Sequence, residues 1–224
     1  MSNSRSFPRY LYGLAICLIS VSFASAQTTA PSETRKTSTP YAGDLSIFDT
    51  PGRDEKLQIN RVMDILNIHP GTTVADIGAG GGWFSVRAAR RVGEGGMVYA
   101  VDINPAAVQY ISQRAEKEKL NNLKTVLSTP DDPKLPPHAI DAVLLLKVYH
   151  EVAKPVTLMT NLRASLKPDA KIGIIDRNGD AENHGVNRDI VIREMQRAGY
   201  RLVQQEDFVK SDRVDYFLVF SVKR

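Results

Sequence analysis

The stretch that most constrains this chain is Val74-Ala75-Asp76-Ile77-Gly78-Ala79-Gly80-Gly81-Gly82-Trp83-Phe84-Ser85. An apolar run rises to an acid, breaks into four glycines within five positions, and resumes with helix-compatible residues. It reads as a buried strand, a tight backbone loop and the start of a helix. The bare N–H groups of a helix start, beside glycines that permit close approach, make a cradle for a ligand.

The rest of the chain supplies a frame for that cradle. A helical pattern runs from Asp54 to Asn67, and the glycine-loop helix from Trp83 to Arg91. Asn104-Pro105 opens a further helix to about Lys119, Asn as the cap and Pro at the first position, where its missing N–H costs nothing. Two more helices are expected, from Pro155 to Leu166 and from Asn187 to Ala198. Strands are expected at Thr73–Ile77, Met97–Val101, Leu123–Leu127, Ile140–Leu146 and Lys171–Ile175. The nearly unbroken apolar run at Ile140–Leu146 suits a central parallel strand buried on both faces. Arg201–Gln205 and Asp215–Val222 read as a closing antiparallel pair. The alternation predicts a doubly wound, mostly parallel α/β sheet. Asp76, Asp102, the Asp131–Asp132 loop, Lys147 and Asp176 all fall at strand carboxyl ends, the edge where such sheets bind ligands.

Which ligand the loop holds follows from what it lacks. A dinucleotide fingerprint wants a third glycine where this chain has Trp83, and Asp76 is awkward beside a diphosphate. No Gly-Lys-Ser/Thr is present for a nucleoside triphosphate. A nucleoside without phosphate fits better. Asp102 can accept both ribose hydroxyls, the Asp131–Asp132 turn can take an adenine amino group, and a zwitterionic tail can meet the loop amides and Asp76. Trp83 reads as packing under the loop. Phe48 reads equally well as a plug on the sheet or a lid over the pocket.

Three pieces, Val-Ala-Asp76-Ile-Gly78-Ala79-Gly80-Gly-Gly82, Val-Tyr-Ala-Val-Asp102-Ile103-Asn-Pro105 and Ile-Asp141-Ala-Val-Leu-Leu-Leu, resemble the class I S-adenosylmethionine-dependent methyltransferases. The resemblance covers roughly Phe48 to the C-terminus. It implies a seven-stranded sheet with its last strand antiparallel, and S-adenosyl-L-methionine as cofactor. By resemblance, Gly78, Gly80 and Gly82 line the methionine moiety, Asp102 binds the ribose, Ile103 lies beside the adenine, and Asp131 or Asp132 lies near its amino group. Pro51-Gly52-Arg53-Asp54 and Val148-Tyr149-His150-Glu151 further resemble a bacterial subset known only as predicted methyltransferases. One departure is Lys147, where the family offers a small polar or acidic residue. Its ammonium would repel a sulfonium unless it reached Asp176, Glu151 or the cofactor carboxylate.

Methyl transfer from a sulfonium rests mostly on proximity and orientation, with a base needed only for hydroxyl or ammonium acceptors. His150, following a strand end, is the candidate base; the alternative is a histidine bonded into the local helix start. Tyr149 is either pocket wall or core. Asp141 reads as structural, and 178–187 as the loop where an acceptor could enter.

The N-terminus reads as an address. Arg5 and Arg9 precede an apolar run from Leu11 to Phe23 and the ending Ala24-Ser25-Ala26, which together predict a signal peptide cut after Ala26. The run is too short for a stable membrane span, so the processed protein is expected in the periplasm or outside the cell. Residues 27–43, rich in Thr, Ser and Pro, are expected to be a flexible leader, and residues 44–224 the domain. Without Arg5 and Arg9 the formal charge of +4 falls to +2, 27 basic residues against 25 acidic, which is no argument for nucleic acid. The lone cysteine, Cys17, lies in the signal, so disulfides, thiolate catalysis and cysteine metal sites are not expected. The four histidines are widely spaced, so no metal site is expected either. The expected partner is a small-molecule methyl acceptor. A rival reading is an exported, non-catalytic binding protein on the same fold.

Overall fold

The computed structural model describes residues 1, 35–41, 43–209 and 214–223. The signal peptide with its cut after Ala26, and residues 27–34 of the leader, lie outside the described residues.

Seven strands form one sheet: β1 (Thr73–Ile77), β2 (Met97–Asp102), β3 (Leu123–Leu127), β4 (Ile140–Leu146), β5 (Leu166–Arg177), β6 (Tyr200–Glu206) and β7 (Asp215–Val222). Their order is β3-β2-β1-β4-β5-β7-β6. The first five are mutually parallel, and β7 runs antiparallel to both β5 and β6. The expected doubly wound sheet with a closing hairpin is therefore present.

β4 shows why the sheet is buried on both sides. Ala142, Leu144 and Leu146 enter one apolar cluster with α2 (Ile59–Ile65), α3 (Trp83–Val92) and α4 (Pro105–Lys117). Ile140, Val143 and Leu145 enter the other, with α5 (Pro155–Leu162) and α6 (Arg188–Arg197). From Ala142 on, the apolar run thus splits by the two-residue alternation of a strand between two helix layers, while Ile140, ahead of the register irregularity, joins the second. Asp141 is the exception in the run. Its carboxylate accepts from Thr73 N at 2.9 Å and pairs with Lys167 at 2.8 Å, the structural role expected of it.

Two boundaries differ from the sequence reading. The helix expected over 54–67 is two: α1 (Arg53–Leu57) and α2, broken at Gln58, whose φ is 46°. The second difference lies after α5, where the expected helix ends early and β5 begins at Leu166, ahead of the expected Lys171. Ile140 pairs with Leu166 and Ala142 with Lys171, so the irregularity in register absorbs the Lys167–Ala170 excursion.

β1 and β4 are neighbours, yet the chain leaves them toward opposite helix layers. Their carboxyl ends therefore open a crevice at the switch point of the sheet. Gly173 on β5 lets α2's flank close on the sheet: a Cβ there would lie 2.9 Å from both Leu66 and Phe217 and 3.1 Å from Leu144. The cost of overpacking, about 1–3 kcal/mol, exceeds the about 0.4–1 kcal/mol that glycine removal returns through the unfolded chain. Gly173→Ala should thus lower the urea midpoint, and Gly173→Val should lower it further. An unchanged midpoint in both would mean the interface yields freely.

Candidate functional site

The glycine loop leaves β1 at Ile77 and ends as the cap of α3. Gly78, Gly80 and Gly82 all lie in the left-handed region, at φ 72°, 55° and 72°. At Gly78 space is decisive as well as angle, since a Cβ would sit 2.3 Å from Val148 of the segment following β4. The two strand ends are thereby packed directly together.

The amides of this loop are used differently from the expectation. Gly78 N and Ala79 N both donate to Val101 O, at 2.8 and 3.1 Å, and Gly82 N donates to Ala79 O at 2.8 Å. Gly80 N donates to Asp102 Oδ2 at 2.9 Å. These four donors hold the loop in shape, and its ligand-facing property is a bare surface more than a row of free N–H groups.

Asp102 is the organiser. While Oδ2 takes Gly80 N, Oδ1 takes Asn104 N at 2.9 Å, and Asn104 in turn caps α4 through Ala106 N at 2.9 Å. Each oxygen has a further lone pair for an outside donor, such as one hydroxyl of a diol. Ile103 and Leu127, each 47% exposed, lie beside it, Leu127 being the register partner of Asp102 on β3. Two large apolar side chains left to solvent around a carboxylate suit a flat, apolar base joined to a sugar.

Asp76 lies beneath the loop, not at its mouth. It is 2% exposed and accepts Ser85 Oγ at 2.5 Å, tying β1 to α3. Burial pushes its carboxyl up to about 7, with Asp102 adding to the rise and Ser85 and Arg53 opposing it. Asp131 and Asp132 shape their own turn: Thr129 Oγ1 donates to Asp131 Oδ1 at 3.2 Å, and Lys134 N donates to Asp132 Oδ1 at 2.9 Å. Asp131 is half-buried and Asp132 exposed, so the two acids do not share one environment.

Lys147 finds a partner that sequence reasoning did not consider. Its Nζ lies 2.5 Å from Asp215 Oδ2 on β7, so its ion-pair partner is neither Asp176 nor Glu151. A cation committed to a buried carboxylate is not free to neutralise a ligand, which relieves the expected repulsion of a sulfonium.

His150 is buried and clamped. Its Nδ1 lies 2.8 and 3.1 Å from the two oxygens of Asp176, and its own amide donates to Asp176 Oδ2 at 3.0 Å. Arg177 N donates to Asp176 Oδ1 at 2.8 Å. A carboxylate that accepts from every side fixes the proton on Nδ1, leaving Nε2 as the free nitrogen. Nε2 is 3.7 Å from Glu151 Oε1. Tyr149 is fully buried, so it is core and not pocket wall.

The segment before α1 forms a roof. A 3-10 turn at Leu45–Phe48 is capped by Asp44, which accepts from Ser46 N at 2.9 Å. Phe48 lies 3.4 Å from where a Gly80 Cβ would be, and Leu45 O lies 2.6 Å from that of Gly81. Arg114 pins the turn down, reaching both Asp49 and Gly81 O at 2.9 Å. Phe48 thus covers the loop. Farther upstream, inside the stretch expected to be a leader, Arg35 pairs with Glu194 at 3.3 Å and donates to Tyr149 O at 2.5 Å, and Ser38 Oγ donates to Ala181 O at 2.7 Å.

Arg53 is the functional candidate that sequence reasoning missed. It donates to Phe48 O at 2.6 Å, and its guanidinium stands 4.4 Å from the Trp83 ring centre. Burial lowers its pKa, opposed by the charge of Asp76. Among the described residues it is in no ion pair. Its signal was the Pro51-Gly52-Arg53-Asp54 entry, read only as resemblance. Among the described residues no group of His, Cys, Asp and Glu is placed to hold a metal ion.

A family described as a methyltransferase domain matches residues 68–209. The chain belongs to that family. It is 28% identical over 114 residues to nocamycin O-methyltransferase of Saccharothrix syringae, covering 51% of this chain and 41% of that protein. It is 35% identical over 81 residues to protein-L-isoaspartate O-methyltransferase of Aeropyrum pernix, covering 36% of this chain and 31% of that protein. The matches thus span less than half the length of these relatives. The fold is that of a SAM-dependent methyltransferase from Aquifex aeolicus, with a TM-score of 0.74 and 24% identity, covering 81% of this chain and all of that one. S-adenosyl-L-methionine is the cofactor of such proteins, and the residues here fit it. Asp102 with Ile103 and Leu127 suits the adenosine, the glycine surface suits the methionine, and Arg53 offers a cation for the carboxylate.

The buried acid beneath the loop has a thermodynamic signature. Asp76 has a reference value of 3.8 and is raised to about 7 in the fold. Well below pH 3.8 both folded and unfolded forms hold the proton. As pH rises toward 7 the unfolded chain loses it first, so stability falls through that window and levels off above it. Three units would amount to at most about 4 kcal/mol. Asp76→Asn should flatten the decline in thermal midpoint between pH 4.5 and 7.5, and an unaltered slope would place the effect elsewhere.

Proposed function

We propose that this protein transfers the methyl group of S-adenosyl-L-methionine to a small-molecule acceptor, after export and removal of residues 1–26. When bound, the cofactor supplies an activated methyl group on sulfur. The chain's part is to bind, orient and exclude water. The observation that carries the reading is Asp102, its two oxygens spanning the glycine loop and the start of α4, flanked by exposed Ile103 and Leu127. Around it, Gly78, Ala79, Gly80 and Gly82 form the wall for the methionine moiety, and Arg53 meets its carboxylate. Asp131 or Asp132 lies toward the adenine amino group. Asp76 and Lys147, which the sequence put among the cofactor ligands, act by shaping the loop and by pairing with Asp215. A small-molecule acceptor is supported by the likeness to nocamycin O-methyltransferase.

Calorimetry with S-adenosylhomocysteine is the direct test. Asp102→Ala removes a charged hydrogen-bond acceptor worth about 1.5–3 kcal/mol, so affinity should fall at least tenfold. Arg53→Met should weaken S-adenosylhomocysteine but not methylthioadenosine, which lacks the carboxylate. No binding by the intact protein would overturn the enzyme reading, whereas binding without turnover on any acceptor would favour the binding-protein rival.

Export rests on the residues before Gln27. Mass spectrometry of the protein from a bacterial host should find a chain beginning at Gln27 in the periplasm or medium. An intact N-terminus confined to the cytoplasm would reject the proposed location.

A further inference from the structure

The sequence points to His150 as the base, but the structure buries it and leaves its neighbour better placed. The His150 side chain is 5% exposed and that of Glu151 20%. Both sit in a 3-10 turn, Tyr149–Glu151, that follows β4 at the switch-point crevice. Val148, immediately before the turn, is the residue packed on Gly78, so the turn lies against the glycine loop. Behind Glu151, His150 Nε2 lies 3.7 Å from Oε1, and behind His150 stands Asp176 at 2.8 Å. Resting on the methyltransferase reading above, we propose that Glu151 takes the proton from the acceptor, with His150 and Asp176 as positioning residues. The acceptor it serves carries a weakly acidic hydroxyl, a phenol or enol.

The chemistry of the cluster favours that division. Asp176 is fully buried and holds the imidazole through Nδ1, so the ring turns its other nitrogen, Nε2, toward the Glu151 carboxyl. Burial raises the Glu151 carboxyl to about 7; His150 opposes the rise, and the negative charges of Asp176 and Asp102 add to it. That Asp102 acts on it at all places Glu151 within electrostatic range of the proposed ribose-binding acid. A carboxylate of this basicity takes a proton from a phenol or enol far more readily than an ordinary one does. A carboxylic acid acceptor would arrive already ionised and need no base. The groups facing the cluster are Asp176 from β5, Asp102 from β2, Tyr216 from β7, which feels Asp176, and His184, whose ring centre is 6.0 Å from that of His150. Lys147, on the same strand end, is taken up by Asp215.

The step balances. The acceptor O–H bond breaks and its proton goes to Glu151 Oε. The oxygen's electron pair forms the bond to the methyl carbon as the methyl–sulfur bond breaks, and that pair stays on sulfur. Glu151 then returns its proton to solvent.

The test uses the processed protein with a series of substituted phenols and a cyclic 1,3-diketone as acceptors, S-adenosylhomocysteine calorimetry, and carboxyl-carbon NMR of the cofactor-free protein. A Glu151 carboxyl titrating near neutrality, lost in Glu151→Gln, is expected before any cofactor is added. Glu151→Gln should bind S-adenosylhomocysteine within twofold of the parent. It should lose at least a hundredfold in kcat on phenols of high pKa, and much less on those already ionised at the assay pH. Asp176→Asn should shift the acid limb of the kcat profile and alter the His150 nitrogen signals. Titration of Glu151 below pH 5, or equal losses across the phenol series, would overturn the assignment of the base. No methylation of any phenol or enol, with S-adenosylhomocysteine still bound, would overturn the acceptor class. No S-adenosylhomocysteine binding would instead count against the methyltransferase reading itself.

Discussion

The structure depends on one carboxylate accepting two backbone amides. Asp102 holds Gly80 with one oxygen and Asn104 with the other, so the glycine loop and the start of α4 cannot move apart without stranding a charge. A charged acceptor makes such bonds stronger than ordinary backbone pairs. The loop needs that grip because its glycines lose more freedom on ordering than any other residue. The grip also orients Asp102: with one lone pair of each oxygen directed inward, the remaining ones can face outward as a pair. Local order and the proposed ligand recognition would thus share one side chain.

The loop's own amides are spent on Val101, Ala79 and Asp102, which alters what the cradle is. In the proposed mode of binding it would recognise by shape, and the charge for an anionic end would come from the roof. Arg53 starts α1, stacks over Trp83, which starts α3, and holds the carbonyl of Phe48, whose ring covers Gly80. Trp83 also meets Arg87, its ring centre 4.0 Å from the guanidinium carbon, and Arg87 is bound to Asp54 at 2.6 Å. The aromatic in the place of a third glycine is therefore a platform for two cations, one paired with Asp54 and one, among the described residues, in no ion pair. That explains why a tryptophan is tolerated where a dinucleotide loop would need close helix packing.

Much of this was legible in the sequence because short-range patterns set it. The β4 run, the Asn104-Pro105 helix start, the glycine loop and the acid after β2 each carry a local rule that nothing overrides. What was not legible depends on distant partners. The break at Gln58 lies inside an unbroken helical pattern, and α1 is tied to α3 by Asp54 and Arg87, 33 residues apart. The early start of β5 follows from a register irregularity against β4. Lys147 reaches Asp215, and Arg35 reaches Tyr149 and Glu194, from a stretch whose Thr, Ser and Pro content suggested only a leader. Composition describes the average behaviour of a segment, and two anchoring residues suffice to defeat it.

The acids at the carboxyl edge of the sheet sort themselves by what they are bonded to. Asp76 is occupied by Ser85, Asp176 by the His150 ring and two amides, and Asp215 by Lys147. All three are buried, where an unpartnered carboxylate would be costly, so their bonds are the condition of their presence. Asp102 and Glu151 differ: each is partly exposed and has acceptor capacity left over. Asp102 ends β2 and Glu151 follows β4, the strands on either side of β1. The glycine loop that follows β1 therefore lies between two partly exposed acids, with Asp131 and Asp132 farther out beyond β3. A molecule laid across that loop would have one acid at either end, the arrangement on which the proposed division between a diol-binding Asp102 and a proton-accepting Glu151 rests.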